Sequence, residues 1–204
     1  MDPTHDDHSR TKPAWAHRAL QKAEDAQALD GPAGALRRLL AGVAGSGAGR
    51  QLRGQALGHP LHPLAVTLPI GAWLCSAVFD LLPDGRDTAR RLVATGLLAA
   101  PAAIVLGLAD YAGLDERQRR VGLVHATANA AATVLFGASY LARRRGAGGR
   151  LLGALGLTAT SVGGALGGHL AYAQGAGVFR WQPLDDLDPA ELAGSDPAAP
   201  RNPA

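Results

Sequence analysis

Cysteine is all but missing from this sequence, with Cys75 the only one in 204 residues. One cysteine permits no internal disulfide and no cysteine-ligated iron–sulfur cluster. It sits in an apolar stretch and reads as a small core side chain. Aromatic residues make up 4% of the chain, and they do not interleave with basic residues as on a nucleic-acid-binding surface. Nor is there a P-loop, a dinucleotide-binding glycine fingerprint or a Ser-His-Asp nucleophile. These absences argue against nucleic acid as a partner. They also argue against an enzyme with a catalytic motif of its own, leaving at most an electron-transfer subunit. The first residues, Met-Asp-Pro-Thr-His-Asp-Asp, start no signal peptide, because no apolar run follows them.

The most informative scarcity is that of charge over long stretches. Averages look soluble, with mean hydropathy +0.03 and 18% charged residues. The charges, however, are gathered into residues 1–60, three short clusters and the tail after Arg180. Between them run four stretches, 64–82, 92–109, 121–142 and 151–173. Each is near the roughly 20 residues that cross about 30 Å of hydrocarbon. Their wealth of Ala, Gly and Leu suits close helix packing in lipid. Joined by connections of about eight to eleven residues, they predict an all-α, integral membrane, up-down-up-down four-helix bundle. Its first partner is the lipid bilayer, which it crosses several times. Pro69 and Pro101 lie inside spans and predict kinks. Pro83, Asp84 and Gly85 predict a turn after the first span.

The net charge of +3 and pI near 9.5 come from arginines at the span ends, which anchor helices at the membrane surface. Both ends carry similar numbers of them, so the positive-inside rule does not choose an orientation. Cytoplasmic termini are favoured, since a charged 60-residue leader is hard to translocate. Residues 1–30 read as a disordered or weakly helical tail, with a weak helical pattern over 14–29. Over 33–43, Leu36, Leu39, Leu40 and Val43 fall at i, i+3, i+4 and i+7, with Arg37 and Arg38 opposite. This short amphipathic helix, in a segment spanning 31–57, either lies on the membrane surface or packs on the bundle. Residues 58–180 form the transmembrane domain, and 181–204 a disordered tail.

Four of the seven histidines lie in or beside the spans: His59, His62, His125 and His169. Asp80 and Asp110 are the acids there. Spans one and three start on the face where spans two and four end. At about 1.5 Å rise per residue, His62, Asp110, His125 and His169 therefore converge to within roughly 10 Å in depth. Asp80 lies at the opposite end of the first span. Ionisable groups at membrane depth are costly and usually face the bundle interior. Asn129 is one turn below His125. Gly163, Gly164, Gly167 and Gly168 form two overlapping Gly-x-x-x-Gly patterns that admit a close helix or a flat ring.

Two opposed histidines between glycine-lined walls could hold a b-type haem. Three histidines and an aspartate could instead hold zinc or another transition metal. The candidate ligands are His125 and His169, with His62 and Asp110 as a third ligand or as orienting groups. His59, Asn129, Gly164 and Gly168 are secondary candidates. The competing reading is structural: imidazoles that bond backbone carbonyls at helix ends or snorkel to headgroups, in a non-catalytic anchor that recruits a soluble partner. A proton or metal-ion permease ranks last, because the mid-membrane part of the spans lacks charge.

Gly58-His-Pro-Leu-His-Pro63, followed by Leu68-Pro-Ile-Gly-Ala-Trp73, resembles a bacterial membrane family known as domain of unknown function 2231. Further matches are Gly107-Leu-Ala-Asp-Tyr111, Gly122-Leu-Val-His125 with Asn129, Gly167-Gly-His-Leu-Ala-Tyr172 and Gln174-Gly-x-Gly177. The likeness covers roughly residues 30–180, and no established activity comes with it. Many relatives carry a Rieske-type iron–sulfur domain after the fourth helix, which implies a redox setting. Here Trp181-Gln-Pro-Leu-Asp-Asp-Leu187 is similar to the opening of such a domain, without its cysteine–histidine ligand pairs. An implied cluster would therefore belong to another polypeptide. The expectation is a membrane component of a redox or electron-transfer system, with haem b or a metal as cofactor. A homo-oligomer stays open.

Overall fold

The computed structural model describes residues 15–177. In that stretch follow α1 Trp15–Asp25, α2 Asp30–Ala44, α3 Gly47–Leu52, α4 His62–Ala65 and α5 Thr67–Leu81. Then come α6 Arg86–Tyr111, α7 Glu116–Arg144 and α8 Arg150–Gly168, which runs on as a π-helical turn over His169–Ala173. There is no strand among the described residues. Four units are long and apolar enough to cross a membrane: His62–Leu81 (α4 with α5), α6, α7, and Arg150–Ala173. The all-α four-helix bundle is the fold. The tails expected to be disordered at 1–14 and 181–204 lie outside the described residues.

The helices outrun the apolar stretches, because charged span ends are themselves helical. The connections shrink to 82–85, 112–115 and 145–149, in place of eight to eleven residues. α7 shows the cause. Asp115 accepts from the Gln118 N–H at 2.8 Å, and the Gln118 side chain accepts from the Asp115 N–H at 3.2 Å. This reciprocal cap starts the helix at Glu116 rather than at Val121. In the turn after the first span, Asp84 takes a φ of 57°, a left-handed conformation that Asp tolerates. Pro69 lacks the N–H that would bond the carbonyl of Ala65, and the first span is interrupted there, between α4 and α5. α6 runs through Pro101 unbroken.

Large apolar side chains cover the outside of the bundle, Leu68, Leu74, Leu98, Val134 and Leu155 among them. In water that surface would be a liability, and lipid covers it. α5 packs against α6 and α8, and so does α7. α5 and α7 therefore stand on a diagonal and run in the same direction. This diagonal pair supplies two large stacked rings of the core. Trp73 stacks on Phe136 with ring centres 4.1 Å apart and planes 13° from parallel. α6 and α8 supply the holes: a Cβ added at Gly96 would lie 2.2 Å from Trp73, and one at Gly156 2.9 Å from Phe136.

At the far end of the same diagonal, Arg143 donates to both Asp80 carboxylate oxygens, at 2.6 and 2.5 Å. Its Nε donates to Ser139 at 3.1 Å, and Ser139 donates to the Gly149 carbonyl at 2.7 Å. Asp80 and Arg143 are buried side chains, 11% and 6% exposed. A buried charge pair of this kind persists only when its remaining hydrogen-bonding capacity is met, as it is here.

Over the opposite end fold α1 and α2. The weak pattern over 14–29 forms α1, and the amphipathic pattern over 33–43 forms α2, packed on the bundle. Leu20, Ala23, Leu36 and Leu40 press on a cluster of Tyr111, Leu114, Val121, Leu166 and Leu170. Leu39 stays 81% exposed. The Tyr111 hydroxyl donates to the Ala33 carbonyl at 3.2 Å. Arg120 grips both oxygens of Asp30, at 2.5 and 2.8 Å.

That grip carries a pH dependence. The hydrogen bond from Arg120 holds the Asp30 carboxyl below its ordinary value of 3.8, with the charge of Arg119 adding to the effect. A carboxyl depressed in the folded state stabilises it fully above the unfolded pKa, and loses that contribution as pH falls through the folded one. Backbone hydrogen exchange over Trp15–Ala44 is therefore expected to accelerate once pH drops below about 4, relative to Asp30→Asn at the same pH. Identical pH profiles for the two proteins would contradict the assignment.

Candidate functional site

His62 opens the first span, and its Nδ1 lies 2.9 Å from the Ala103 carbonyl oxygen of α6. His125, on α7, places Nδ1 2.8 Å from the Gly163 carbonyl oxygen of α8. A carbonyl can only accept, so each Nδ1 carries the hydrogen. In the neutral ring Nε2 is then the atom with the free lone pair. The two rings face each other across the bundle, 6.1 Å apart at their centres and 88° from parallel. Both side chains are half-buried. Asn129 donates to the His125 carbonyl at 2.9 Å, and its amide nitrogen lies 3.4 Å from His125 Nε2.

His169 points elsewhere. Its Nε2 bonds Glu24 Oε1 from α1, and the other carboxylate oxygen takes Arg117 at 2.5 Å. His169 and Glu24 are 8% and 9% exposed, whereas Arg117 is 63% exposed. His169 sits in the π-helical turn; such local rewinding is frequent where a side chain must be re-aimed. The pairing of His125 with His169 expected from depth alone is therefore replaced by His125 with His62. Asp110 is half-buried at the end of α6, but backbone carbonyls hold the Nδ1 atoms of both facing rings. His59 is exposed in the loop before α4.

The glycine pattern is shifted by one residue from the expectation. A Cβ on Gly164 or Gly168 would meet nothing within 4 Å. On Gly163 it would fall 2.7 Å from Asn129, and on Gly167 2.9 Å from His125. One residue turns a helix by about 100°, enough to carry Gly164 and Gly168 off the packed face. Glu24 was invisible as a site residue, lying outside the spans. Gly107 carried a signal, standing in a recognised motif: His62 comes within 2.9 Å of the Cβ it lacks.

Among the described residues no three His, Cys, Asp or Glu side chains converge as a metal would require. A centre made of three or four protein ligands does not fit this end of the bundle. Two imidazoles that face each other, each held at Nδ1 by a backbone carbonyl, are the residues that would hold an ion whose other ligands arrive with it, as in haem.

No curated protein and no solved structure matches the chain. The family described as "Predicted membrane protein (DUF2231)" matches residues 58–180. That range holds all four spans and both facing histidines, while α1 and α2 lie before it. With more than half of its length matched, the chain belongs to the DUF2231 family of predicted membrane proteins.

Proposed function

We propose that this protein is the membrane component of a redox system and holds a b-type haem between His62 and His125. The observation that carries the reading is the facing imidazole pair, each ring fixed at Nδ1 by a backbone carbonyl. Hydrogen bonding at Nδ1 raises the basicity of Nε2 and fixes the ring's direction, the usual arrangement of a ligating histidine. Haem bound there would supply one-electron transfer near one membrane face, its potential tuned by the imidazoles that would hold it. The chain's own residues hold the rings, and α1 and α2 shield that end of the bundle from water. A bacterial membrane, cytoplasmic termini and a Rieske-type partner complete the proposal.

A second reading, a non-catalytic anchor for a soluble partner, draws on a different observation. His62, His125 and His169 each already have a protein partner, which would satisfy purely structural imidazoles. Visible spectra of the detergent-purified protein, oxidised and dithionite-reduced, separate the two. Haem bands that sharpen on reduction are the expected result. A protein loaded in haem-sufficient cells and still colourless would hand the case to the anchor.

A further inference from the structure

Residues that meet on the bundle axis recur at a fixed interval. On the diagonal spans, His62 and His125, Trp73 and Phe136, Ser76 and Ser139, and Asp80 and Arg143 are each 63 residues apart. Every one of these pairs is an interior pair. The rings face or stack on one another, the serines are 2% and 0% exposed, and the charges form the buried ion pair. On α6 and α8 the interval is 60 residues. It relates Gly96 to Gly156, beneath Trp73 and Phe136, and Gly107 to Gly167, beneath His62 and His125. It also relates the two carbonyls, Ala103 and Gly163, that hold the imidazoles. In each half the histidine bonds a carbonyl four residues before the glycine under its ring, which is one helical turn.

We infer that the bundle is one helical hairpin used twice, over 62–111 and 125–171, about a two-fold axis along the membrane normal, with Gly107 and Gly167 as equivalent positioning residues for His62 and His125. α5 and α7 run in the same direction on the diagonal, as that axis demands, and parallel repeats of this kind are a known way to build membrane bundles. The role of the two glycines follows from distance. A Cβ at either would lie 2.9 Å from Cε1 of its own histidine, closer than packed carbon atoms approach. The ring would have to lift, giving up its carbonyl and its place opposite the other ring. The duplication and the two seats stand on geometry alone. That the seats serve a haem rests on the function proposed above.

The test is a double-mutant comparison on the full chain in detergent. Gly107→Ala and Gly167→Ala should each lower the thermal midpoint by roughly 5 °C, the scale of overpacking in a chain of this length. Combining Gly107→Ala with His62→Ala should cancel that loss relative to His62→Ala alone, as should Gly167→Ala with His125→Ala relative to His125→Ala alone. Crossed combinations should not, and Gly164→Ala, which meets nothing, should be silent. If a glycine variant fails to accumulate, the same pattern is read as recovery of membrane-inserted yield. Nitrogen-15 spectra of labelled histidine supply a readout that a general packing defect would not produce: Gly107→Ala shifts His62 and spares His125, and Gly167→Ala does the reverse. Rescue by the crossed partner, or an effect at only one glycine, would overturn the inference. Matched rescue in a protein that never takes up haem would leave the duplication standing and remove the haem reading alone.

Discussion

Under the proposed function, replacing His62 or His125 with alanine is expected to abolish haem binding while leaving membrane insertion intact, and replacing His169 is expected to do neither. The asymmetry follows from what each imidazole touches. The Nδ1 atoms of His62 and His125 are bound to carbonyls of helices that remain hydrogen-bonded along their own length. Losing either ring therefore costs one hydrogen bond, about 1 kcal/mol, together with some packing, which a four-span protein survives. Either variant would leave only one of the two imidazoles that would hold the group. Bound haem also stabilises only the folded state, so the two variants should no longer gain thermal stability from haem-supplemented growth. His169→Ala leaves Glu24 with Arg117; its effect should appear as faster exchange in α1, with haem per protein unchanged. Haem content and inserted yield, measured side by side for the three variants, decide the matter. Wild-type haem content in His62→Ala would end the assignment of that ligand, and loss of haem in His169→Ala alone would return the site to the pairing first expected from depth.

That pairing shows where sequence reasoning reaches and where it stops. Span existence and alternation were legible, because four uncharged stretches of membrane length leave few other folds. Depth was legible too: His62, His125 and His169 do share one end of the bundle. Azimuth was not. Whether a residue four positions from a helix end faces the axis or a neighbouring element depends on a rotation that one residue changes by about 100°. The same uncertainty moved the packed glycines from Gly164 and Gly168 to Gly163 and Gly167. His169 was claimed by a residue 145 positions away, in a segment whose periodicity gave little sign of α1. The spans run past their uncharged stretches, because capping and ion pairs make the flanking arginines helical. The partner of Asp80 could have been found: Asp80 near the end of span one and Arg143 near the end of span three must share a face in any up-down bundle.

Of the variants outside the histidine layer, Asp80→Asn is expected to be the most destabilising, and its cost should far exceed that of Arg143→Met. Breaking a buried pair by removing one partner typically costs about 3–5 kcal/mol, because the remaining charge is left uncompensated. The two ends of this pair are not equally stranded. Arg143 is 6% exposed, and in Asp80→Asn its side-chain partners among the described residues would be a neutral amide oxygen and the Ser139 hydroxyl, which cannot balance a positive charge. Asp80, by contrast, keeps Arg150, 3.6 Å away and 54% exposed, whose long side chain can close the gap once Arg143 is gone. Asp80→Asn should therefore show nearly the full loss, and Arg143→Met only part of it. The double variant Asp80→Asn with Arg143→Met buries no charge at all, and replacing both partners of such a pair is often close to neutral. It should recover most of the loss seen in Asp80→Asn. Thermal unfolding of the four proteins in one detergent gives the comparison. Additive effects in the double variant, or an Asp80→Asn midpoint equal to wild type, would show that the pair is not electrostatically coupled in the membrane.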